Sequence, residues 1–165
     1  MKKLFLAAVL AICGAATAMA SGMGSLGANF LYGSKFDQVG LGVSYKVNLT
    51  DNFRVAPEMQ YFFSNNGMKA WDANANIEMV TTLFDDLKFY PLVGFTYSHW
   101  TQSVPVPGVD KAVNTWDRFG VNVGGGLEYN FNSQVAAVFE VRGQLIKDFS
   151  QCVLNIGLKY SFTSL

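Results

Sequence analysis

The chain has 165 residues, 12 of them Lys or Arg and 12 Asp or Glu, so it carries no formal net charge. That balance excludes a nucleic-acid-binding face, which needs a basic excess, and the length suits one domain. Charged residues are scarce at 15% and aromatics equally frequent at 15%, against about 25% charged in an ordinary soluble domain, so much of the surface faces something other than water.

The first twenty residues read as a secretory signal: Lys2 and Lys3 form a basic start, Leu4 to Ile12 an apolar stretch, and Ala18-Met19-Ala20 a cleavage site. The apolar stretch is too short for a membrane span, which takes about 20 residues. A lipoprotein signal at Leu10-Ala11-Ile12-Cys13 is disfavoured, because Ile12 stands where a small residue is expected. Cleavage would leave residues 21–165 as the domain, slightly acidic. Cys152 would be its one thiol, unable to form an internal disulfide and read as a small apolar filler.

From there period-2 alternation runs through the chain, the signature of strands. Eight are expected: 24–33, 38–49, 53–63, 71–84, 87–98, 117–131, 134–145 and 151–162. Each reaches the roughly 9–11 residues that a tilted strand needs to cross hydrocarbon. In the second, Val39, Leu41, Val43, Tyr45 and Val47 share one face, and Gln38, Gly40, Gly42, Ser44 and Lys46 the other. The last repeats the pattern, with Leu154, Ile156, Leu158, Tyr160 and Phe162 on one face. Pro57 and Pro91 lie inside expected strands, where a proline removes a ladder donor. Tight polar connections (Thr50-Asp51-Asn52, Asp85-Asp86, Asn132-Ser133) alternate with others at 34–37, 64–70, 99–116 and 146–150. Short turns at one end and longer loops at the other are what transmembrane barrels show, the short ones periplasmic. The longest loop, His99 to Trp116, is expected to expose Trp100, Val104, Val106 and Val109.

Alternation alone does not say which face is inside, and a soluble carrier of the lipocalin kind would turn the apolar face inward. Three features oppose that. Gly40, Gly42, Gly94, Gly120, Gly124, Gly126 and Gly157 share the polar face with the charges, which fits an eight-stranded lumen just wide enough for side chains to fill. The apolar face is zoned: Phe53, Phe89, Tyr129, Phe131, Tyr160 and Phe162 near the short turns, Tyr32, Tyr61, Phe63, Trp71, Tyr97 and Phe119 near the loops, aliphatic residues between. Two aromatic belts around an aliphatic band suit a bilayer. Finally, the middle of that face carries almost no charge.

The polar face therefore becomes a lumen, in which Lys46, Arg54, Glu58, Glu78, Lys88, Glu128, Glu140 and Arg142 are expected to form a paired charge network, since an unpaired buried charge is very costly. Such a network reads as a structural plug, with a gated ion path as the alternative.

These residues resemble the OmpA/OmpX/opacity-type eight-stranded outer-membrane proteins over the whole expected domain. Asn155-Ile156-Gly157-Leu158-Lys159-Tyr160-Ser161-Phe162 is similar to that family's terminal assembly signal, carried here by Asn155, Gly157, Tyr160 and Phe162, although Thr163-Ser164-Leu165 follows. The resemblance implies an all-β, up-and-down barrel in the outer membrane of a Gram-negative bacterium. It also implies contact with outer-membrane lipid, and with the barrel-assembly machinery and periplasmic chaperones during biogenesis. Envelope structure, adhesion or host contact are the roles it suggests, and a monomer is expected.

No active site, cofactor or metal site is expected. His99, the one histidine, has Ser98, Ser103 and Asp117 nearby, but a histidine alone specifies no triad geometry, and a lipid A-modifying enzyme is the lesser reading. Gly124-Gly125-Gly126 lacks the lysine of a phosphate loop, and Asp85-Asp86 supplies too few ligands for calcium. The remaining functional surface is the loop from His99 to Trp116, with His99, Trp100, Asp110 and Lys111 as candidate contacts for an external partner.

Overall fold

The computed structural model describes residues 24–106 and 109–162, so the expected signal and its cleavage site lie outside the described residues. The chain forms eight antiparallel strands: β1 (Gly24–Gly33), β2 (Gln38–Asn48), β3 (Phe53–Asn65), β4 (Met68–Met79, continued past Val80 by Thr81–Phe84), β5 (Leu87–Val106), β6 (Val109–Asn130), β7 (Val135–Ile146) and β8 (Gln151–Ser161). Each pairs with the next, and β1 also pairs with β8, from Ser25↔Ser161 to Gly33↔Val153. The sheet thus closes on itself and leaves no free edge in its body, the condition for strands to cross lipid.

Burial alternates strictly along most strands and decides the orientation. Gln38, Gly40, Gly42 and Ser44 of β2 are buried while Val39, Leu41 and Val43 are exposed. Charged and amide side chains fill the lumen; Leu, Val, Ile and Phe stand outside, with Phe95 73% and Phe30 64% exposed. A wall this apolar is far beyond the patches that soluble monomers expose. The inverted, carrier-like arrangement is therefore not the one adopted. Both strand prolines are accommodated in the ladder, Pro57 opposite Ala75 and Pro91 opposite Gly125.

Glycines on the inner face stand where a neighbour comes too close for a side chain. A Cβ at Gly126 would strike the Tyr90 hydroxyl and ring, and one at Gly124 would strike the backbone of Val141 and Arg142. Small residues beside large ones let the narrow lumen close.

The connections differ from expectation at one end. β4 starts at Met68, because Asn66 and Gly67 (φ 51° and 77°) make a two-residue turn, the geometry that favours tight hairpins. β4 is also interrupted at Val80. The expected loop from His99 to Trp116 is instead a hairpin: β5 and β6 stay paired from Leu87↔Tyr129 out to Val106↔Val109. Thr101, Val104, Val113 and Thr115 (β-branched residues suited to strands) carry the ladder past the barrel rim as far as Val106 and Val109. Length at this end therefore comes from extended strands rather than irregular loops.

Candidate functional site

The inward side chains form three layers. The first, toward the short turns, is ionic. Glu78 accepts from Lys46 at 2.9 Å and also from Arg54; Arg54 reaches on to Glu128 at 2.8 Å, and Lys159 pairs with Glu128. On the other side Arg142 donates to Glu58 at 2.7 Å and lies 3.4 Å from Glu140. Tyr90 joins the two halves: its hydroxyl donates to Glu140 at 3.0 Å, and its ring centroid lies 4.4 Å from the Lys46 ammonium and 4.7 Å from the Arg54 guanidinium carbon. Strand pairing sets these positions, with Arg54 opposite Glu78 and Arg142 opposite Gly124.

Lys88 departs from the expected set. It is half-buried at the mouth and makes no ion pair among the described residues, because its cross-strand neighbour Glu128 is already held by Arg54 and Lys159. Lys159 and Tyr90 occupy the network instead; both stand at inward positions of their strands, which was the signal available for them. Glu58, Glu78 and Glu140 bring carboxylate oxygens within 4.8 Å of one another, the one grouping among the described residues with enough donors for a metal ion. Lys46, Arg54 and Arg142 already pair with these carboxylates, so the arrangement is that of an ion-pair network.

The second layer is amide-rich and holds one carboxylate, Asp72. Asn122 donates to Asn74 at 3.0 Å and to Asn76 at 2.9 Å; Gln151 donates to Gln144 at 2.7 Å; Gln144 and Ser98 both donate to the buried Asp72.

The third layer, absent from the sequence reading, is apolar. Leu31, Phe62, Met68, Ala70, Trp100, Ile146, Phe149 and Val153 form a buried cluster against which Phe36 and Trp116 pack. Trp100 stacks on Phe149 at 4.9 Å and 16°, and Phe36 meets Trp100 edge-on at 5.3 Å. Trp100 was expected to be exposed; it is 0% exposed, because the inward parity of Thr96 and Ser98 continues through it. Aromatic rings thus stopper the hairpin end. The opposite end is a polar cavity of about 760 Å³ whose lining includes Arg54, Lys88, Glu128 and Lys159.

His99, one residue from Trp100, faces out. Its Nδ1 lies 2.6 Å from an Asp117 oxygen that also accepts from the Tyr97 hydroxyl at 2.7 Å, and its ring stacks on Trp71 at 5.7 Å. Ser98 faces the lumen, so the barrel wall separates it from His99. Beyond the rim the hairpin is two strands wide. β4 stops pairing with β5 at Met68↔Gln102, and β7 stops pairing with β6 at Gly120↔Ile146, which leaves residues 109–119 of β6 with an open backbone edge. The side chains of Asp110 and Lys111 lie outside those described.

The sequence matches the outer membrane protein beta-barrel domain family over residues 4–162. The chain belongs to that family. Three solved barrels share the fold, each covering 84% of this chain and 96% of its own. They are the N-terminal domain of Pseudomonas aeruginosa OprF (17% identity, TM-score 0.65), the Neisserial surface protein NspA (13%, 0.67) and the Yersinia pestis attachment invasion locus protein Ail (13%, 0.62). No curated protein matches the chain.

Membership in the outer-membrane barrel family places the chain in the outer membrane of a Gram-negative bacterium, with the short turns and the open cavity on the periplasmic side and the hairpin outside. In the last strand Asn155 faces the lumen, Gly157 stands where a Cβ would strike Asn29, and Tyr160 and Phe162 pack edge to face at 5.5 Å. Ile156 and Leu158, between them, face lipid at 60% and 58% exposure.

Proposed function

We propose that this barrel is a surface-interaction protein, monomeric and without catalytic activity, whose β5–β6 hairpin contacts a partner outside the cell. The supporting observation is the hairpin: strands of 20 and 22 residues, against 10 to 13 for β1, β2 and β3, with an open edge along residues 109–119. Free strand edges are pairing surfaces that proteins normally cover. In this reading the ionic and aromatic layers plug the lumen, so the barrel acts as an anchor rather than a passage. The terminal strand, with Asn155, Gly157, Tyr160 and Phe162, serves recognition by the barrel-assembly machinery after periplasmic chaperones deliver the chain.

One neighbour is consistent with a surface role by its description alone: Ail is called an attachment invasion locus protein, and one of its structures holds the heparin analogue sucrose octasulfate. A non-catalytic reading follows from His99, whose nitrogen partner is Asp117 while Ser98 sits across the wall. The test is adhesion of a Gram-negative host displaying the protein to cultured epithelial cells, with the hairpin intact or cut back to Gln102 and Asn114. Loss of adhesion in the shortened form, with unchanged surface display and heat-dependent gel mobility, is the expected result. Equal adhesion by both forms would refute the role of the hairpin.

A further inference from the structure

Among the described strand residues, outward-facing Lys, Arg, His, Asp and Glu side chains stand in one place only: they are Lys69, His99 and Asp117. They lie on three consecutive strands in adjacent rows: Trp71, His99 and Asp117 are cross-strand neighbours, and Lys69 with Thr101 is one pair further out. A charge on a barrel's lipid face is costly at the bilayer midplane and nearly without cost close to the interface. Three such groups collected on one patch of a wall otherwise free of them therefore belong to the headgroup layer and face it.

From this juxtaposition we propose a binding site for the phosphorylated sugar headgroup of an outer-leaflet glycolipid. Trp71 is half-exposed and lies 5.4 Å from Tyr97 and 5.7 Å from His99, an aromatic surface on which the C–H face of a sugar packs. With Nδ1 of His99 held by one Asp117 oxygen, His99 Nε2 and the second Asp117 oxygen remain for sugar hydroxyls. Lys69 is exposed and makes no ion pair among the described residues; its ammonium takes the phosphate. The ligand is a lipid rather than a free sugar because the wall below is apolar (Phe95, Phe119 and Val121 are exposed) and receives acyl chains. The site is independent of the hairpin's open edge and of any partner bound there.

The test is native mass spectrometry of the refolded barrel released from micelles containing equal amounts of a diphosphorylated, acylated glucosamine disaccharide and phosphatidylethanolamine. The expected spectrum shows the glycolipid retained in preference. Apparent affinity falls about threefold in Lys69→Gln and about tenfold in Lys69→Gln/Trp71→Leu, while Tyr32→Leu, three strands away in the same belt, leaves it unchanged. Equal retention of both lipids, or equal loss in the Tyr32 variant, overturns the proposal, since either would mean an ordinary interfacial belt. Retention of the deacylated headgroup as strongly as the whole glycolipid would overturn the assignment to lipid. Lys69 is exposed, so its single substitution keeps the test valid if the double variant fails to fold.

Discussion

Replacing Arg142 with Met removes the cation that holds Glu58 and Glu140 together. Arg142 and both carboxylates are essentially inaccessible to water, and the guanidinium contacts lie at 2.7 and 3.4 Å. The methionine fills most of the volume, so the loss is electrostatic: two buried carboxylates stay behind, with a third, Glu78, within 4.8 Å. Removing one partner of a buried pair costs about 3–5 kcal/mol, a large part of a domain's typical stability of about 5–15 kcal/mol. Glu58→Gln alone leaves Arg142 with Glu140 and is expected to cost less. In the double variant most of the Arg142→Met penalty from Glu58 disappears, so the cycle should return a coupling of about 1–3 kcal/mol. The assay is urea unfolding of the barrel in phospholipid vesicles, followed by tryptophan fluorescence and by the fraction migrating as folded without boiling. Additive single costs, or an Arg142→Met penalty below about 1 kcal/mol, would show that the pair is hydrated or loosely held and would refute the reasoning.

The aromatic stopper makes a separate prediction: the intact barrel conducts no measurable current in a planar bilayer, while Trp100→Ala/Phe149→Ala, which removes the stacked pair 4.9 Å apart, lets water reach the amide layer. That variant should lose about 3–5 kcal/mol of stability per large aromatic side chain and show brief openings in single-channel recordings. Steady conductance in the unmodified barrel would instead favour the gated ion path. Gly126→Val is expected to block folding, because the new side chain would occupy the space of the Tyr90 ring; a normal heat shift for this variant on gels would show that the lumen yields more than its close contacts suggest.

Much of the barrel was legible because a tilted strand in lipid obeys one strict rule; β8 follows it residue by residue, and β2 does so as far as Ser44, beyond which Tyr45, expected on the outer face, is buried. The inner face could be told from the outer by glycines sharing a face with Lys46, Glu58 and Arg142, since only a crowded interior needs both. What escaped had local causes. The stretch from His99 to Trp116 read as a loop, whereas the β-branched Thr101, Val104, Val113 and Thr115 sustain a ladder through it. Asn66-Gly67 is a strong hairpin signal, hidden because Ser64 to Ala70 read as one longer connection. Trp100 was assigned to solvent with that loop; carrying the even-numbered parity of Thr96 and Ser98 two residues further would have put it inside.

The parity that places Trp100 inside also places His99 and Thr101 outside, so at the outer rim one strand serves two chemistries across its own thickness. Inside, Trp100 ends a gradient from ion pairs, through amides, to rings. The ions lie near the open mouth, and the rings lie at the hairpin end. Outside, His99 marks the height at which the wall stops being purely apolar. The hairpin therefore rises from a base fixed on both faces, by Trp100 and Trp116 against Phe149 within and by Trp71, Tyr97 and Phe119 without. A two-stranded ribbon is marginally stable on its own. Anchoring its first residues on both sides lets the remaining pairs, Thr101↔Thr115 through Val104↔Ala112, extend past the barrel with one backbone edge open.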